Sequence, residues 1–483
     1  MDANDKKSSN KQQNKKTIIR IIIEVIIAII ILIITIILYI YWEKLIINSV
    51  LKEIALKPDS TGYKTWLNPP TTITRAYRLF NVTNPMEIVT NPATTTINSD
   101  DYKSINYSVH RLFTRHPTQF DPLSVNDKGV FIDFVRTMFR AQFPIRAVPI
   151  FYHLSGMETF YYRNAVEQLE GFTSDLFNIV RQKMTESNTA KSGFIYRYNG
   201  SRPYSYRIKS GLMEKGQILA FTNENIPFAF STENLYGTVI YDGLTFVPML
   251  FKKSSFNIFQ PDFCHPINVR YNKILSMFGG IHVHEYVVKL VDFNQCTNLS
   301  DINTCPEVDK LDVSKCISTL LPEKTIFLSK AHFYESSDET KKQLNIKGFT
   351  PTRDQHEALL YFEPYFGTPL RAHHRFQLNI EVIIDPMEEF KLESDLQPTG
   401  REGVKRLVPI LWIDQEVNVN DATINKLRMV HLALRHGQTL IIILAIVLII
   451  VIIVIIEIVA RRMAKNETNE HADSLESDAF LKK

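Results

Sequence analysis

The stretch "IIILAIVLIIVIIVIIE" (441–457) decides how this chain of 483 residues is organised, because it is apolar up to its last residue. A second apolar stretch, "VIIAIIILIITIILYI" (25–40), lies near the other end of the sequence. A transmembrane helix needs about 20 apolar residues, and each stretch with its flanks supplies them. The bulk of the chain therefore lies between two predicted membrane anchors.

Each stretch has an alternative explanation that the sequence disfavours. A cleaved signal peptide has an apolar segment of about 7–15 residues that ends in small residues. Residues 25–40 instead lead into Tyr41 and Trp42, aromatic residues that are typical of a membrane boundary. The alternative for the second stretch is a buried core helix. We predict transmembrane helices over residues 18–42 and 440–460.

Basic residues flank both predicted helices on the side away from the middle of the chain. They are Lys6, Lys7, Lys11, Lys15, Lys16 and Arg20 before the first helix, and Arg461, Arg462 and Lys465 after the second. By the positive-inside rule, both tails (1–17 and 461–483) are expected in the cytoplasm. Residues 43–439 then form a large exoplasmic domain, at the plasma membrane or the endosome–lysosome membrane.

The net charge of +4 has a local origin. Residues 1–20 carry six basic and two acidic residues, and residues 461–483 carry five of each. The segment between the predicted helices is therefore close to neutral. No sequence-wide basic field indicates a nucleic acid as a partner.

All four cysteines lie between the predicted spans, at Cys264, Cys296, Cys305 and Cys316. An even number of cysteines in an oxidising compartment indicates two disulfides, and the sequence alone leaves three pairings open. Four glycosylation acceptors lie in the same segment: Asn81, Asn106, Asn199 and Asn298. Asn466 has the same motif in the predicted cytoplasmic tail, where we expect no glycan.

Runs rich in β-branched and aromatic residues predict strands in the segment between the spans. These runs are "TVIYDGLTFVPML" (238–250), "GGIHVHEYVVKLVDF" (279–293), "EALLYFEPYFGTPL" (357–370), "RFQLNIEVII" (375–384) and "RLVPILWI" (406–413). Two runs have apolar residues at helical spacing and predict helices: "VFIDFVRTMF" (130–139) and "NAVEQLEGFTSDLFNIV" (164–180). No linker or repeat divides the segment, which favours a single α+β domain.

The sequence lacks the residue patterns of common enzymes. It has no G-x-S-x-G, no H-E-x-x-H and no phosphate-binding glycine loop. His282 and His284 would share one face of a strand, which suits a metal pair, but no third ligand is evident nearby. We therefore predict that the chain is not an enzyme and binds no cofactor or metal.

Residues 313–413 resemble consecutive signatures of the CD36 family, which comprises class B scavenger receptors and lysosomal integral membrane proteins. The matching segments are "LDVSKC", "FLSKAHFYES", "KGFTPTRDQHEALLYFEPYFGTPLRAHHRFQLNI" and "LVPILWIDQEV". Earlier segments match as well: "LFNVTNPMEI", "AVEQLEGFTSDLF", "SGFIYRYNGS", "DGLTFVP" and "FQPDFCHPINVRY". The usual "GPYxY" signature is replaced by "NPATTTINSDDYKSINYSV" (91–109), which indicates a divergent member.

The resemblance implies an exoplasmic α+β domain with an antiparallel β-barrel core and a helical bundle at its membrane-distal apex, here residues 130–184. It also implies two disulfides, Cys264–Cys316 and Cys296–Cys305. Members of the family bind lipids or lipoproteins at the apex, and a hydrophobic tunnel leads toward the bilayer. The apical residues that we expect to contact a ligand are Arg136, Arg140, Arg163, Phe172, Phe177, Arg181 and Lys183.

The leading functional hypothesis is a scavenger-receptor-like glycoprotein that binds lipid or lipoprotein at its apex and passes lipid to the membrane. The alternative is an endolysosomal sorting receptor, or a structural membrane protein, that binds a lysosomal protein through the apical helices. The tail "ESDAFLKK" (476–483) resembles an acidic dileucine sorting signal, with Glu476, Phe480 and Leu481 at the key positions.

Overall fold

The computed structural model describes most of the chain. The described residues are 2–57, 60–67, 69–91, 93–110, 114–119, 128–132, 160–172, 193–194, 204–223, 228–231, 239–243, 246–250, 254–296, 305–317, 324–384 and 404–480. They divide into two compact units. The first consists of Met1–Lys52 and Asn425–Lys483, and the second of Glu53–Ile424.

The helices differ greatly in length. They are α1 (Asp2–Glu53), α2 (Thr61–Leu67), α3 (Pro85–Thr90), α4 (Ala165–Glu170), α5 (Ser314–Ile317), α6 (Asp338–Leu344), α7 (Arg353–His356) and α8 (Asp421–Phe480). Two helices are long and apolar enough to cross a membrane, over Val25–Glu53 and Asp421–Arg461. The membrane-protein prediction is thus confirmed, and both helices extend beyond the predicted spans.

The first unit is an antiparallel helix pair. Trp42 of α1 donates a hydrogen bond from Nε1 to the Ala433 carbonyl of α8 at 2.9 Å, and Gln438 donates to the Tyr39 carbonyl at 3.1 Å. A Cβ on Gly437 would lie 2.0 Å from Trp42 Nε1, so only glycine allows this approach of the indole ring. Trp42, one of the aromatic residues predicted at the membrane boundary, thus links one helix to the other.

The second unit is built on strands. They are β1 (Thr71–Val82), β2 (Ile97–His110), β3 (Thr114–Gln119), β4 (Lys128–Ile132), β5 (Phe160–Asn164), β6 (Tyr204–Ile208), β7 (Ile218–Asn223), β8 (Phe228–Ser231), β9 (Ile240–Tyr241), β10 (Ser255–Gln260), β11 (His265–Met277), β12 (Ile281–Lys289), β13 (Lys310–Asp312), β14 (Ile326–Lys330), β15 (Ile346–Lys347), β16 (Leu359–Glu363), β17 (Thr368–Ile384) and β18 (Val404–Val419).

Most of these strands form one large curled sheet of 13 strands, in the order β15-β2-β1-β18-β17-β16-β12-β11-β10-β9. β3 pairs with β2, and β14 pairs with both β13 and β17. The long strand β17 pairs with β16 through its first part and with β14 through its later part. Its antiparallel register with β18 runs from Arg371↔Asn418 to Ile384↔Val404. The strand predictions for 279–293, 357–370, 375–384 and 406–413 are confirmed by strands in each of these ranges.

The prediction for residues 238–250 is wrong over most of its described length, because the strand there is only Ile240–Tyr241. Gly243 follows in the left-handed region with φ +81°, and a Cβ at this position would lie 2.9 Å from Ile258 Cγ2. The chain therefore turns close against β10 at Gly243, and the strand ends before this turn.

The predicted apical segment, 130–184, is also corrected where it is described. Val130–Ile132 belong to β4, which pairs with β5 in the register Val130↔Tyr162 and Ile132↔Phe160. Apolar spacing in 130–139 fits a helix, but β-branched and aromatic residues at its start pair with a second strand instead. A closed barrel and an apical helical bundle stay predictions.

Candidate functional site

The inner face of the curled sheet is lined with apolar side chains. Residues from β1, β10, β11, β12, β16, β17 and β18 contribute to one buried cluster. At its centre, the ring of Phe362 lies 4.7 Å from that of Phe246 and 5.6 Å from that of Tyr286, and both contacts are edge-on. Phe256 lies 5.1 Å from Tyr286. These rings pack against one another and form an apolar, aromatic core.

The inner face becomes polar at one end. Arg75, His374 and Gln415 each lie two residues before or after an apolar member of the cluster on the same strand, and therefore on the same face. Arg75 Nε donates to Gln415 Oε1 at 2.8 Å, and its terminal nitrogen pairs with Asp262 at 2.8 Å. His374 Nδ1 lies 3.1 Å from Nε2 of the Gln260 side chain. The inner face of the sheet is thus apolar over most of its described part and charged at one end.

Burial has a measurable consequence for His374. Loss of solvent, followed by the positive charge of Arg75, lowers the pKa of its imidazole to about 4. The imidazole is therefore neutral near pH 7, because a second positive charge beside Arg75 is disfavoured in this environment. The polar end carries the charge of the Arg75–Asp262 ion pair and neutral hydrogen-bonding groups.

Lys215 and Asp242 add a second buried pair of charged residues. Lys215 is 6% exposed and Asp242 8%. Burial lowers the pKa of the Lys215 amine to about 8, although Asp242 opposes the shift. Burial, with Asp242 and Asp262, raises the pKa of the Tyr206 phenol well above its usual value. Sequence reasoning missed these residues, since nothing in their local pattern sets them apart.

His373 lies on the opposite, outer face of β17. Its ring nitrogens are 3.6 Å from Asp414 and 3.9 Å from Glu416, and Arg375 pairs with Asp414 at 3.3 Å. Burial alone would raise the pKa of Asp414, but hydrogen bonds and charge from His373 and Arg375 lower it overall. Each of the two carboxylates therefore has a partner, and this row stabilises the outer face.

Two of the predicted apical ligand residues come together in the structure. The guanidinium of Arg163 lies 3.4 Å from the centre of the Phe172 ring and 4.9 Å from that of Tyr161. Arg163 also donates to Gln168 Oε1 at 3.3 Å. Phe172 is 8% exposed, so its contacts are with the protein. These contacts account for both residues without a ligand.

The helix predicted over residues 164–180 is confirmed only for Ala165–Glu170. Asn164 caps it by accepting a hydrogen bond from the Val166 amide at 2.8 Å, and Gly171 ends it with φ 123°. The other predicted ligand residues lie outside the described residues: Arg136, Arg140, Phe177, Arg181 and Lys183.

The His282 and His284 side chains lie on the same face of β12 as Tyr286, toward one end of the strand, where His282 is exposed and His284 is half-buried. Among the described residues, no group of three His, Cys, Asp or Glu side chains could hold a metal ion. Tyr271 packs edge-on against His284 with ring centres 5.2 Å apart.

The structure joins Cys264 to Cys316 and Cys296 to Cys305, the two pairs implied by the resemblance. Of the predicted glycosylation acceptors, Asn81 lies half-buried in β1 and Asn106 lies in β2, whereas Asn199 and Asn298 are outside the described residues. Glu476 and Phe480 fall in the last turns of α8, and Leu481 is outside the described residues.

Comparison with known proteins places this arrangement in a family. The family model of the CD36 family matches residues 25–99 and 94–460. This chain belongs to the CD36 family. The match includes both candidate spans and the curled sheet, so the predicted family is confirmed.

Several insect members of the CD36 family resemble this chain. Sensory neuron membrane protein 1 of Bombyx mori is 29% identical over 245 residues, which are 49% of this chain and 43% of that protein. The proteins of the same name from Plutella xylostella and Mamestra brassicae are each 28% identical, over 47% and 49% of this chain and 41% and 43% of those proteins. The matches span less than half the length of these relatives.

Proposed function

We propose that this CD36-family protein is a membrane receptor that binds a lipid with the segment between its two spans. The observation that carries the proposal is the inner face of the curled sheet, which is apolar and aromatic along its length and polar at one end. Such a surface complements an amphipathic molecule, whose chain avoids water and whose head group needs hydrogen-bonding partners.

The contacts around Arg75 support the choice of an amphipathic ligand over a purely apolar one. Arg75 is held by Gln415 and Asp262, so its charge has a fixed position at the end of the apolar surface. Neutral His374 and Gln260 add hydrogen-bonding groups beside it. A carboxylate or hydroxyl at this end would be recognised by groups that are already ordered.

The proposed transfer of lipid to the bilayer needs no energy source. Each Å² of apolar lipid surface kept out of water contributes about 25 cal/mol of favourable free energy. A lipid would therefore pass down its concentration gradient along a path that is shielded from water. We propose further that both tails face the cytoplasm and that the segment between the spans is exoplasmic. The alternative partner, a lysosomal protein, has no support in the comparisons, and we do not propose it.

Photo-crosslinking of the full chain in lipid nanodiscs tests the proposal. Fatty acid, sterol and phospholipid probes with a diazirine in the chain would be added separately, and labelled peptides mapped by mass spectrometry. We expect one probe class to label β17 and β18 on their inner face, at saturable stoichiometry and with competition by unlabelled lipid.

The matched controls are two substitutions on adjacent residues of β17. His374→Asn changes the inner polar end, whereas His373→Asn changes the outer face of the same strand. We expect the first substitution to weaken competition by lipids with a polar head group and the second to leave it unchanged. Labelling that does not saturate, or that falls equally on both faces, would contradict lipid binding inside the sheet.

A further inference from the structure

The antiparallel helix pair contains an apolar cleft of about 210 Å³ between its two apolar helices. Its walls are Val25, Ile27, Ala28 and Ile31 of α1 and Ile449, Ile452, Ile453 and Ile456 of α8. The cleft lies toward the chain termini and away from the contact of Trp42 with Gly437. The two helices thus meet closely at one end and leave space between them at the other.

The composition of the cleft decides which part of a molecule it can hold. All eight lining residues are aliphatic, so no side chain can hydrogen-bond a hydroxyl or a carbonyl. Ala28 is the smallest of the eight, and any larger residue there would fill part of the space. A hydrocarbon chain fits these walls, whereas a buried polar group would lose its hydrogen bonds.

Basic residues lie just beyond the cleft at the same end of the helix pair. At a rise of about 1.5 Å per residue, Arg461 is about 7.5 Å along α8 from Ile456, and Arg20 is as far along α1 from Val25. Arg461 is 84% exposed and pairs with Glu457 at 3.7 Å. The other basic residues of this end are Lys15, Lys16, Arg462 and Lys465.

We propose that this cleft binds one acyl chain of an anionic phospholipid, whose head group lies at the level of residues 20 and 461. The aliphatic walls of the cleft favour an acyl chain. The excess of basic residues beyond the cleft favours a head group with a net negative charge over a zwitterionic one. This site is separate from the proposed ligand surface inside the sheet and does not depend on it.

The experiment uses the full chain in nanodiscs with a photoactivatable acyl chain on either phosphatidylserine or phosphatidylcholine. Mapping by mass spectrometry should place the phosphatidylserine label on residues 25–31 and 449–456. Ala28→Phe fills the cleft and should reduce this label strongly, and Ala28→Val should have an intermediate effect. Val447→Phe is the control, because Val447 is 50% exposed on α8 and does not line the cleft.

The head group is tested separately with Arg461→Gln and Arg462→Gln. Each substitution should reduce the preference for phosphatidylserine roughly fivefold, since a basic residue near a membrane surface contributes about 1 kcal/mol toward anionic lipid. Equal labelling by both lipids, or label spread evenly around both helices, would overturn the proposal. So would a dimer in native mass spectrometry in which the second copy is crosslinked to residues 25–31, because the cleft would then be a protein interface.

Discussion

The curled sheet and the membrane helices use apolar residues in opposite ways. Along β17 the side chains alternate, so that Phe376 is buried in the cluster of the inner face while Gln377 hydrogen-bonds the backbone and side chains on the outer one. Along residues 440–456 of α8 every residue is apolar, and Ile450 is 55% exposed. Lipid solvates such side chains, so contact between the helices depends on shape rather than on hydrophobicity. The face of a strand on which a residue lies therefore decides how much the residue contributes to stability. The face of these helices on which a residue lies has much less effect.

The sharpest test of this comparison truncates one large apolar side chain in each region to alanine. Phe362→Ala should reduce the free energy of unfolding by about 3–5 kcal/mol, because the ring is fully buried among Phe246, Phe256 and Tyr286. Ile450→Ala should change it little, since lipid fills the space. Thermal unfolding of the full chain in nanodiscs, followed by proteolysis of the segment between the spans, measures both. Equal losses in the two variants would contradict the contrast.

Gly437 is the exception within the helices, where shape predicts a large effect. Gly437→Leu places side-chain atoms where the Trp42 indole lies, and overpacking of this kind costs about 1–3 kcal/mol. Paired cysteines at Tyr39 and Gln438, which are hydrogen-bonded across the two helices, report the helix contact, and their crosslinking should fall sharply. Ile443→Leu, at a residue 51% exposed, should leave it intact.

Acid should weaken the sheet through His374. Its pKa is about 4 in the folded protein and 6.5 as the ordinary value, so below pH 6.5 the unfolded chain takes up a proton that the folded one refuses. His374 is half-buried by its solvent-accessible area, so the stability lost between pH 6.5 and pH 4 is about 1–2 kcal/mol after allowance for this partial exposure. His265, whose pKa is also lowered by burial, acts in the same direction.

The check compares unfolding midpoints of the wild type, His374→Asn and the exposed-site variant His282→Asn across this pH range. His374→Asn should flatten the pH dependence, and His282→Asn should retain it. An unchanged slope in His374→Asn would contradict the lowered pKa, because it would mean that the imidazole takes up its proton at the same pH in the folded and the unfolded protein.

The smallest effect concerns the Trp42 hydrogen bond. Trp42→Phe keeps most of the ring but removes the donor to the Ala433 carbonyl, at a cost of about 0.5–1.5 kcal/mol. We expect a modest fall in crosslinking between the cysteines described above. Tyr41→Phe is the matched control, because Tyr41 is 50% exposed. A fall as large as that of Gly437→Leu would mean that the bond outweighs the shape of the contact.

The candidate site could be predicted only in part, and particular residues show why. Adjacent residues of a strand point to opposite faces, and the structure accordingly places His373 outside and His374 inside. The meeting of His374 with Arg75 and Asp262 was beyond prediction, since these residues come from distant parts of the chain. In the apical segment, local spacing predicted a helix at 130–139, but pairing with Phe160–Asn164 makes a strand of its start.

The sequence by itself determined the two spans, the strands within 279–293, 357–370, 375–384 and 406–413, and the family, because each rests on local composition, alternation or consecutive motifs. Tertiary structure alone decided which residues of the spans face each other. A run of Ile, Leu and Val has no alternation of apolar and polar residues from which the contacting face of a helix could be predicted. The contact between the two helices is set by the shape of Gly437 against Trp42. The polar end of the inner face was likewise decided by tertiary structure, since it exists only where strands distant in the chain are brought together.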